Sequence, residues 1–325
     1  MYKLAVIGSG KLGARHLQAL SRLTLSCEID VVDTSIEALE AARQILNGSP
    51  VHDQNHLIRF HQSIDCLPKN LDYAVIATNS DNRFSVLRKI LLHSKVKFLI
   101  LEKVLFPRVE EYYEALKIFE RNNVVVWVNC LRRTYPIYKE IEDFFLGEKL
   151  IHARVMGSEW GLGCNGIHFL DLFSKLTSEV LWSVDATGLS KNIIPSKRAG
   201  YIEFVGSLRG SYSGGFKFEL SSEKESVAKI FIELRSENRI CVIDESHGHA
   251  FLYDSKNPDK WNCKTFTVPY LSDQMIELVS QILITGACKL PTYKESIQTH
   301  LPLINELIAF TSLITGKYTD ACLIT

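Results

Sequence analysis

The sequence predicts a two-domain α/β protein: a doubly wound parallel sheet, followed by an α+β domain whose open sheet is mostly antiparallel. Three observations lead to this fold class. The chain has 325 residues, which is enough for two domains of ordinary size. Short apolar runs alternate with helix-length segments over residues 1–128. Over residues 129–325, most strand-like segments follow one another without long helices between them, so we place the domain boundary at residue 128.

The elements of the first domain are predicted from apolar runs typical of strands buried on both faces of a sheet. The predicted strands are 4–7, 29–32, a weakly indicated 57–60, 73–78, 98–101 and 124–128. The predicted helices are 11–23, 36–46 with Thr34 or Ser35 as its N-cap, 84–92 and 109–121. Strands that alternate with helices of this length form right-handed crossovers and therefore a parallel sheet.

The second domain is predicted from strand-like segments separated by glycine and serine clusters. The predicted strands are 151–156, 184–186, 201–208, 211–220, 229–234 and 240–243. The predicted helices are 136–147, 166–176, 273–284 and 296–313. Strands in close succession pair most simply as antiparallel neighbours, which indicates an α+β domain.

Charge and cysteine content restrict the class of protein. Lys plus Arg and Asp plus Glu both number 37, so the chain lacks the one-signed field of a nucleic-acid or anionic-membrane binder. Eight scattered cysteines with no CxxC pair predict reduced thiols, with neither a disulfide framework nor a metal site. No apolar run reaches the roughly 18 residues that span a bilayer. We expect a cytoplasmic protein that binds neither nucleic acid nor membrane.

The strongest local motif is a GxGxxG run directly after the first predicted strand. It comprises Gly8, Ser9, Gly10, Lys11, Leu12 and Gly13, and it opens a predicted helix. In this setting the first glycine permits a tight turn, the second lets backbone approach a pyrophosphate, and the third lets helix and strand pack closely. These six residues are therefore predicted to bind a dinucleotide in a Rossmann domain. The alternative is a glycine turn without a ligand.

Asp33 lies twenty residues beyond Gly13, at the end of the second predicted strand. A carboxylate there accepts hydrogen bonds from ribose hydroxyls and repels a 2′-phosphate, so NAD is favoured over NADP. A helix N-cap is the alternative role for Asp33. We also assign Thr78 and Asn79, which end and follow the predicted strand 73–78, to the cofactor site.

Glu102 and Lys103 follow the strand predicted at 98–101, and ligands of open α/β sheets bind at such carboxyl ends. We assign both residues to the cofactor site. Lys103 is further predicted to hydrogen-bond a substrate hydroxyl and to stabilise alkoxide character as a hydride leaves. The alternative is a solvated surface lysine.

A glycine-rich run at 160–172 leads into an apolar helix and carries Cys164, Asn165 and His168. A histidine near a helix amino terminus is disfavoured as a cation, so neutral His168 is suited to accept a proton. A local hydrogen bond is its alternative role. We assign all three residues to substrate binding, together with Arg132 and Arg198, whose guanidinium groups suit a carboxylate or diphosphate. A solvated basic loop is the alternative for Arg198.

These motifs resemble the Gfo/Idh/MocA oxidoreductases along essentially the whole chain. The resemblance rests on VIGSGKLGARH at 6–16, LEKV at 101–104, NCLRR at 129–133 with Pro136, GLGCNGIHFLDLF at 161–173 and LPTYKESIQTH at 290–300. It implies NAD(P)-dependent chemistry at a sugar-like carbinol, with Lys103 and His168 as catalytic residues. It also implies a homodimer or homotetramer formed through the open sheet. The sequence departs from the family in Val104, which replaces a proline, and in Cys164, which replaces an acid.

The leading functional hypothesis is an NAD-dependent dehydrogenase or reductase acting on a sugar, cyclitol or nucleotide sugar. A second hypothesis, favoured by the acid missing at Cys164, is a catalytically silent dinucleotide-binding sensor or regulator. A third is a reductase of a non-sugar substrate such as an aromatic diol or bile pigment.

Overall fold

The computed structural model describes residues 1–48, 56–224 and 229–325, which form two compact units. The first unit comprises Met1–Phe106, Glu110–Asn129 and Pro269–Lys294. The second comprises Pro107–Val109, Cys130–Val268 and Glu295–Thr325. Within the described residues, none of the helices is long and apolar enough to cross a membrane.

The secondary structure alternates in the first unit and is rich in strands in the second. The strands are β1 Tyr2–Ile7, β2 Cys27–Val32, β3 Leu57–His61, β4 Asn70–Ile76, β5 Lys95–Leu101, β6 Val125–Val128, β7 His152–Ser158, β8 Leu181–Asp185, β9 Ile194–Pro195, β10 Ile202–Glu203, β11 Gly206–Tyr212, β12 Lys217–Glu223, β13 Phe231–Arg235, β14 Arg239–Asp244, β15 His249–Asp254 and β16 Asn262–Thr265. The helices are α1 Lys11–Leu20, α2 Ile36–Asn47, α3 Ser80–His93, α4 Val109–Asn122, α5 Pro136–Phe144, α6 Leu162–Thr177, α7 Leu271–Thr285 and α8 Tyr293–Thr315. Single 3-10 turns lie at Ile64–Cys66 and Leu131–Thr134.

The first unit is built on a six-stranded parallel sheet in the order β3-β2-β1-β4-β5-β6. The apolar runs that predicted β1, β4 and β5 are its buried centre, because central strands of such a sheet are covered on both faces. The predicted parallel α/β sheet is therefore confirmed. The side chain of Ser35 caps α2 by accepting a hydrogen bond from the N–H of Ala38 at 3.1 Å.

Helix α7 clusters with the first unit, although the sequence prediction assigned every residue after 128 to a second domain. Helix α7 belongs to the first unit because it packs against α1. An ion pair between Arg22 Nη1 and Asp273 Oδ1, at 2.6 Å, is part of this contact. The first unit is therefore discontinuous in sequence, which local hydropathy patterns do not reveal.

The second unit contains an eight-stranded sheet in the order β16-β15-β14-β13-β7-β12-β11-β8. Its neighbours are antiparallel except β7 and β12, which confirms the mostly antiparallel sheet. Helix α6 packs against β10 and β12 and against the turn Leu131–Thr134. Aromatic contacts fix α6 to neighbouring segments, with the rings of Trp160 and Phe169 edge to face at 5.4 Å.

Several predicted boundaries in the second unit are wrong. The strand predicted at 201–208 is split into β10 and β11, and the one predicted at 211–220 is interrupted by a turn whose Gly215 has a φ of +95°. Strands β15 and β16 were not predicted. Helix α6 begins at Leu162 rather than near residue 166, which places Cys164 and Asn165 inside its first turn.

Candidate functional site

A large cleft of the first unit lies at the carboxyl ends of β1 to β4. Its volume is about 930 Å³. Because β1 pairs with β2 on one side and β4 on the other, the strand order reverses at this point, where open α/β sheets bind ligands. Its lining includes predicted cofactor residues from three strand ends: Gly8, Gly10, Asp33, Thr78 and Asn79.

The three glycines of the motif have different surroundings. Gly8 has a φ of +91°, and a Cβ there would lie 2.9 Å from the backbone nitrogen of Thr78. A Cβ on Gly13 would lie 1.8 Å from the carbonyl oxygen of Gly8, so only glycine permits this approach. A Cβ on Gly10 would meet nothing within 4 Å. Gly10 therefore keeps the cleft open, whereas Gly8 and Gly13 maintain the turn.

Helix α1 begins at this glycine turn, and its amino terminus is free of groups that would prevent it from binding an anion. Its N-cap Gly10 offers no side-chain hydrogen bond, and no acidic residue lies in the first turn. Helix amino termini bind phosphate through their backbone N–H groups and the helix dipole. Within the described chain, the buried Oγ1 of Thr78 also has no hydrogen-bond partner. These features fit a pyrophosphate and its flanking ribose.

Asp33 lies half-buried beside the glycine turn. Its Oδ2 accepts hydrogen bonds from the N–H of Ser9 at 2.7 Å and the hydroxyl of Ser9 at 3.2 Å. Its Oδ1 accepts one from the N–H of Ser35 at 3.0 Å. The N-cap of α2 is Ser35, not Asp33. The carboxylate of Asp33 therefore braces the turn and lines the cleft, while Ser9 itself is buried.

Glu102 forms a buried network directly before Lys103. Its Oε1 lies 2.7 Å from Nε2 of His16 and accepts a hydrogen bond from Nδ2 of Asn129 at 2.6 Å. Burial opposes ionisation of Glu102, but the hydrogen bond and charge of His16, aided by Asn129, hold the pKa of this carboxyl below its usual value. Glu102 is not among the cleft-lining residues, and it joins α1, β5 and β6.

Lys103 is half-buried at the end of β5, and its peptide bond with Val104 is cis. Its segment is held by the buried guanidinium of Arg83, which donates hydrogen bonds to the carbonyl oxygens of Val104 and Leu105. The same guanidinium donates to the carbonyl oxygen of Thr78. Arg83 therefore fastens the loop that carries Lys103 to the wall of the cleft.

In the second unit, Cys164, Asn165 and His168 are half-exposed on a helix whose neighbouring positions are buried. Spacings of three and four residues bring them to one side of the helix, which we call the α6 face. Asn165 is held by a hydrogen bond from its Nδ2 to the carbonyl oxygen of Trp160 at 2.7 Å. The predicted substrate residues on α6 therefore form one accessible polar strip.

The two arginines after β6 hold the turn Leu131–Thr134 against other elements of the second unit. Arg132 pairs with Glu245, which also accepts a hydrogen bond from Tyr138, and its guanidinium carbon lies 4.1 Å from the ring centroid of Phe169. Nε of Arg133 lies 2.8 Å from Oδ2 of Asp171. Both arginines thus contact residues of α6 close to His168 in sequence.

Asp171 combines deep burial with an ion pair. Burial raises the pKa of its carboxyl to about 7, although the charge and hydrogen bond of Arg133 act in the opposite direction. The side chain of Arg133 is itself nearly buried. The pair therefore changes charge near neutral pH.

The remaining predicted positions do not line the cleft or the α6 face. Arg198 is exposed in the loop between β9 and β10, with its Nη1 3.4 Å from Oγ1 of Thr325. Lys11 is exposed and Leu12 half-buried at the start of α1. Within residues 1–48, 56–224 and 229–325, no group of three or more His, Cys, Asp or Glu is arranged to hold a metal ion.

Sequence reasoning missed His16, Arg83 and Asn129 in the first unit and Glu203 in the second. Each acts through a partner distant along the chain, from 21 residues for Arg83 with Val104 to 86 for His16 with Glu102. Their only local signal is a polar residue within an apolar or helical pattern, which does not reveal the partner.

Comparison with known proteins supports the same reading of the first unit. Residues 2–130 match the family described as Gfo/Idh/MocA, an oxidoreductase family with an NAD-binding Rossmann fold. No curated protein sequence matches the chain.

Solved structures resemble the chain along nearly its whole length. UDP-N-acetylglucosamine 3-dehydrogenase GnnA from Acidithiobacillus ferrooxidans has a TM-score of 0.75 at 15% identity, covering 96% of this chain and 99% of its own. An oxidoreductase from Agrobacterium radiobacter, solved with NAD+, L-tartaric acid and magnesium, has a TM-score of 0.72 at 12% identity, with 98% of both chains covered. The transcriptional regulator Gal80p from Kluyveromyces lactis has a TM-score of 0.73 at 16% identity, covering 98% and 91%. At these identities the likeness concerns the fold.

Residues 2–130 therefore match the NAD-binding Rossmann-fold model of the Gfo/Idh/MocA oxidoreductase family, the family that the motifs resemble. The structural matches include a dehydrogenase, an oxidoreductase and a regulator, so this likeness alone does not define the reaction.

Proposed function

We propose that the protein is an NAD-dependent oxidoreductase that transfers a hydride between nicotinamide and a carbinol or ketone carbon of a sugar, cyclitol or nucleotide sugar. The observation that carries the proposal is the cleft in which an uncapped helix amino terminus, the glycine turn and Asp33 converge. The sugar class is supported by the likeness to GnnA, which acts on a nucleotide sugar. A cytoplasmic location agrees with the free cysteines.

The cofactor is held by the carboxyl ends of β1, β2 and β4. The N–H groups at the start of α1 bind the pyrophosphate, and Asp33 accepts hydrogen bonds from the adenosine ribose, which favours NAD over NADP. When bound, the nicotinamide supplies or accepts the hydride. Thr78 and Asn79 complete the wall of the cleft.

Lys103 and His168 are the proposed catalytic residues. The ammonium of Lys103 donates a hydrogen bond to the reacting oxygen and stabilises its negative charge. The imidazole of His168 takes the hydroxyl proton in oxidation and returns it in reduction. Asn165 and Cys164 bind the substrate beside His168. Arg132 was predicted to bind substrate, but it pairs with Glu245 and lies over the ring of Phe169, so we propose that it orients the α6 face. Arg198 is proposed to meet an anionic group of the substrate.

A panel of sugars, cyclitols and nucleotide sugars, followed by NADH absorbance, tests the proposal. Lys103→Met and His168→Asn should each lower kcat at least about 100-fold while NADH still binds. Lys95→Met, at the exposed start of the same strand, is the matched control and should keep full activity. Turnover that survives in both variants would contradict the catalytic assignment.

A regulator is the second candidate function. It is favoured by Cys164, which stands where the resembled family carries an acid, and by the likeness to Gal80p. NADH binding without turnover across the whole panel would support this function over the enzyme.

We further propose a homodimer or homotetramer formed through the open face of the eight-stranded sheet. Met156 and Phe231 are register partners on β7 and β13 and are both exposed, although large apolar side chains are uncommon at such positions. Sedimentation should show an oligomer that Met156→Lys weakens, and a monomeric wild type would contradict this assembly.

A further inference from the structure

Glu203, which ends β10, places a buried carboxylate at the amino terminus of α6. Its Oε2 accepts a hydrogen bond from the N–H of Gly163 at 2.8 Å, and its Oε1 accepts one from the N–H of Cys164 at 2.9 Å. The N–H of Phe204 also donates to Oε2, at 3.2 Å. Glu203 is only 7% exposed. The two buried oxygens of Glu203 thus accept hydrogen bonds from three backbone N–H groups.

Helix α6 has no such group of its own. Its N-cap is Gly161, which offers no side-chain hydrogen bond, and its first turn contains no acidic residue. The first N–H groups of a helix lack partners within the helix, and their dipoles favour a nearby negative charge. Glu203 supplies both the acceptors and the charge from a residue about forty positions away in sequence.

Two glycines leave the space that the carboxylate occupies. A Cβ on Gly161 would lie 3.3 Å from Oε1 of Glu203, and a Cβ on Gly163 would lie 3.1 Å from Oε2. Gly161 also has a φ of +76°, which L side chains rarely adopt. The Gly161-Leu162-Gly163 segment is thus shaped around Glu203, and this explains why a glycine-rich sequence begins a helix here.

We propose that Glu203 is the positioning residue of the α6 face: it fixes the first turn of α6 and sets the charge beside Cys164. The inference rests on the proposed function only in treating the α6 face as the side that meets substrate. Cys164 is the third residue of the helix, where a carboxylate of its own would also be favourable. Glu203 and an acid at position 164 are therefore alternative sources of the same charge.

The charged residues of the turn Leu131–Thr134, which packs against α6, are paired. The thiol of Cys322 is the titratable group that interacts with Glu203 from the last residues of the chain: burial, aided by the charge of Glu203, raises its pKa. Arg132 pairs with Glu245, and Arg133 pairs with Asp171. The buried residues that β12 contributes are Phe218, Leu220 and Ser222, none of which is charged. On α6 itself, His168 is the titratable neighbour one turn after Cys164. Glu203 is thus the carboxylate whose effect on Cys164 the variants below isolate.

A double-mutant cycle, measured by thermal unfolding midpoints, tests whether an acid at position 164 can replace the charge of Glu203. Glu203→Gln should lower the midpoint by about 2 to 6 °C. Cys164→Asp should lower it in the wild type, because two carboxylates then share one helix end, and raise it in the Glu203→Gln background. Cys164→Asn is the neutral control and should show no such reversal. Additive effects of Cys164→Asp and Glu203→Gln would overturn the proposal.

The reactivity of Cys164 gives a readout that loss of a simple helix cap would not move. Iodoacetamide labelling across a pH series, with the Cys164 peptide followed by mass spectrometry, reports the apparent pKa of this thiol. Glu203→Gln should lower that pKa by about 0.5 to 1, because a neighbouring negative charge disfavours the thiolate. A fraying helix would raise the labelling rate but would also raise the pKa, because it removes the helix dipole that favours the thiolate. An unmoved or raised pKa would therefore overturn the proposal.

Glu179→Gln is the matched control. Oε2 of Glu179 also accepts two backbone N–H groups, from Gly214 at 2.9 Å and Phe216 at 3.4 Å, but Glu179 follows the carboxyl end of α6. It should leave the Cys164 pKa unchanged, and an equal shift in this variant would also overturn the proposal. Neither measurement requires cofactor or substrate, so the outcome is separate from the success or failure of the oxidoreductase assignment.

Discussion

Replacing His16 with alanine should reverse the sign of the pH dependence that Glu102 gives to the free energy of unfolding. The two side chains are almost completely buried and lie 2.7 Å apart, so the change removes the main partner of a buried carboxylate. Asn129 still donates one hydrogen bond to the same oxygen. Burial is the largest influence on the Glu102 pKa, and without His16 it should raise that pKa above its usual value.

The size and sign of the effect follow from this network. Leaving a buried charged carboxylate without its main hydrogen-bond partner costs about 3 kcal/mol or more. In the wild type the lowered pKa makes Glu102 stabilising above its ordinary value, and this contribution is lost as pH falls through the folded-state pKa. In His16→Ala the raised pKa reverses the sign. The variant should then lose stability as pH rises through it, by up to about 1.4 kcal/mol per pH unit.

Urea denaturation between pH 5 and pH 8 measures both effects. His16→Ala should lose stability as pH rises across this range, and His16→Ala/Glu102→Gln should not. The double variant His16→Ala/Glu102→Gln should recover at least about 2 kcal/mol, because no buried charge remains. His56→Ala, which removes a half-buried histidine whose Nε2 lies 2.9 Å from the carbonyl oxygen of Leu23, is the control for a lost imidazole. Parallel pH profiles for His16→Ala and the double variant, or additive effects of the two substitutions on the free energy of unfolding, would refute the reasoning.

Three further predictions concern the cleft and the second unit. Gly13→Ala should lower the thermal midpoint of the first unit, because its Cβ would meet Gly8. Gly10→Ala should leave the thermal midpoint unchanged but weaken NADH binding at least about tenfold. If the two variants had equal effects in thermal unfolding and in calorimetric titration, this prediction would be contradicted. Asp33→Ser should lower the preference for NAD over NADP by about tenfold in binding titrations, and a wild type that prefers NADP would refute the ribose assignment. Because the folded-state pKa of Asp171 is raised to about 7, its contribution to the free energy of unfolding declines from about pH 4 to pH 7, by at most about 1.4 kcal/mol per pH unit. Asp171→Asn should remove this pH dependence in urea denaturation. An unchanged pH dependence in the variant would contradict the raised pKa.

The sequence predicted the first unit well because its strands are buried on both faces. β1 and β5 therefore appear as continuous apolar runs that end at glycine or at Glu102. β3 was only weakly indicated because it is an edge strand and none of its residues is fully buried. β16 is exposed at all four positions, so it has no apolar alternation to detect. The hydrophobic pattern in the sequence thus reflects burial, and edge strands show little of this pattern because few of their residues are buried.

The cleft was largely predictable, whereas the residues that brace it were not. The glycine motif and Asp33 are recognisable because their chemistry requires a fixed order along the chain. Arg83 and Glu203 bind backbone groups of distant segments, a role that no spacing rule specifies. The late start predicted for α6 has the same cause, since a glycine pair signals a turn unless a carboxylate from another strand caps the helix there.

Transfer of deuterium from [4,4-2H2]NADH to keto sugars, detected by mass spectrometry of the alcohol products, tests the proposed reaction most directly. The wild type should place deuterium on the carbinol carbon. Lys103→Met should lower this incorporation at least about 100-fold while still binding NADH. Binding of NADH by the wild type without deuterium in any product, across sugars, cyclitols and nucleotide sugars, would contradict the oxidoreductase and favour the regulator.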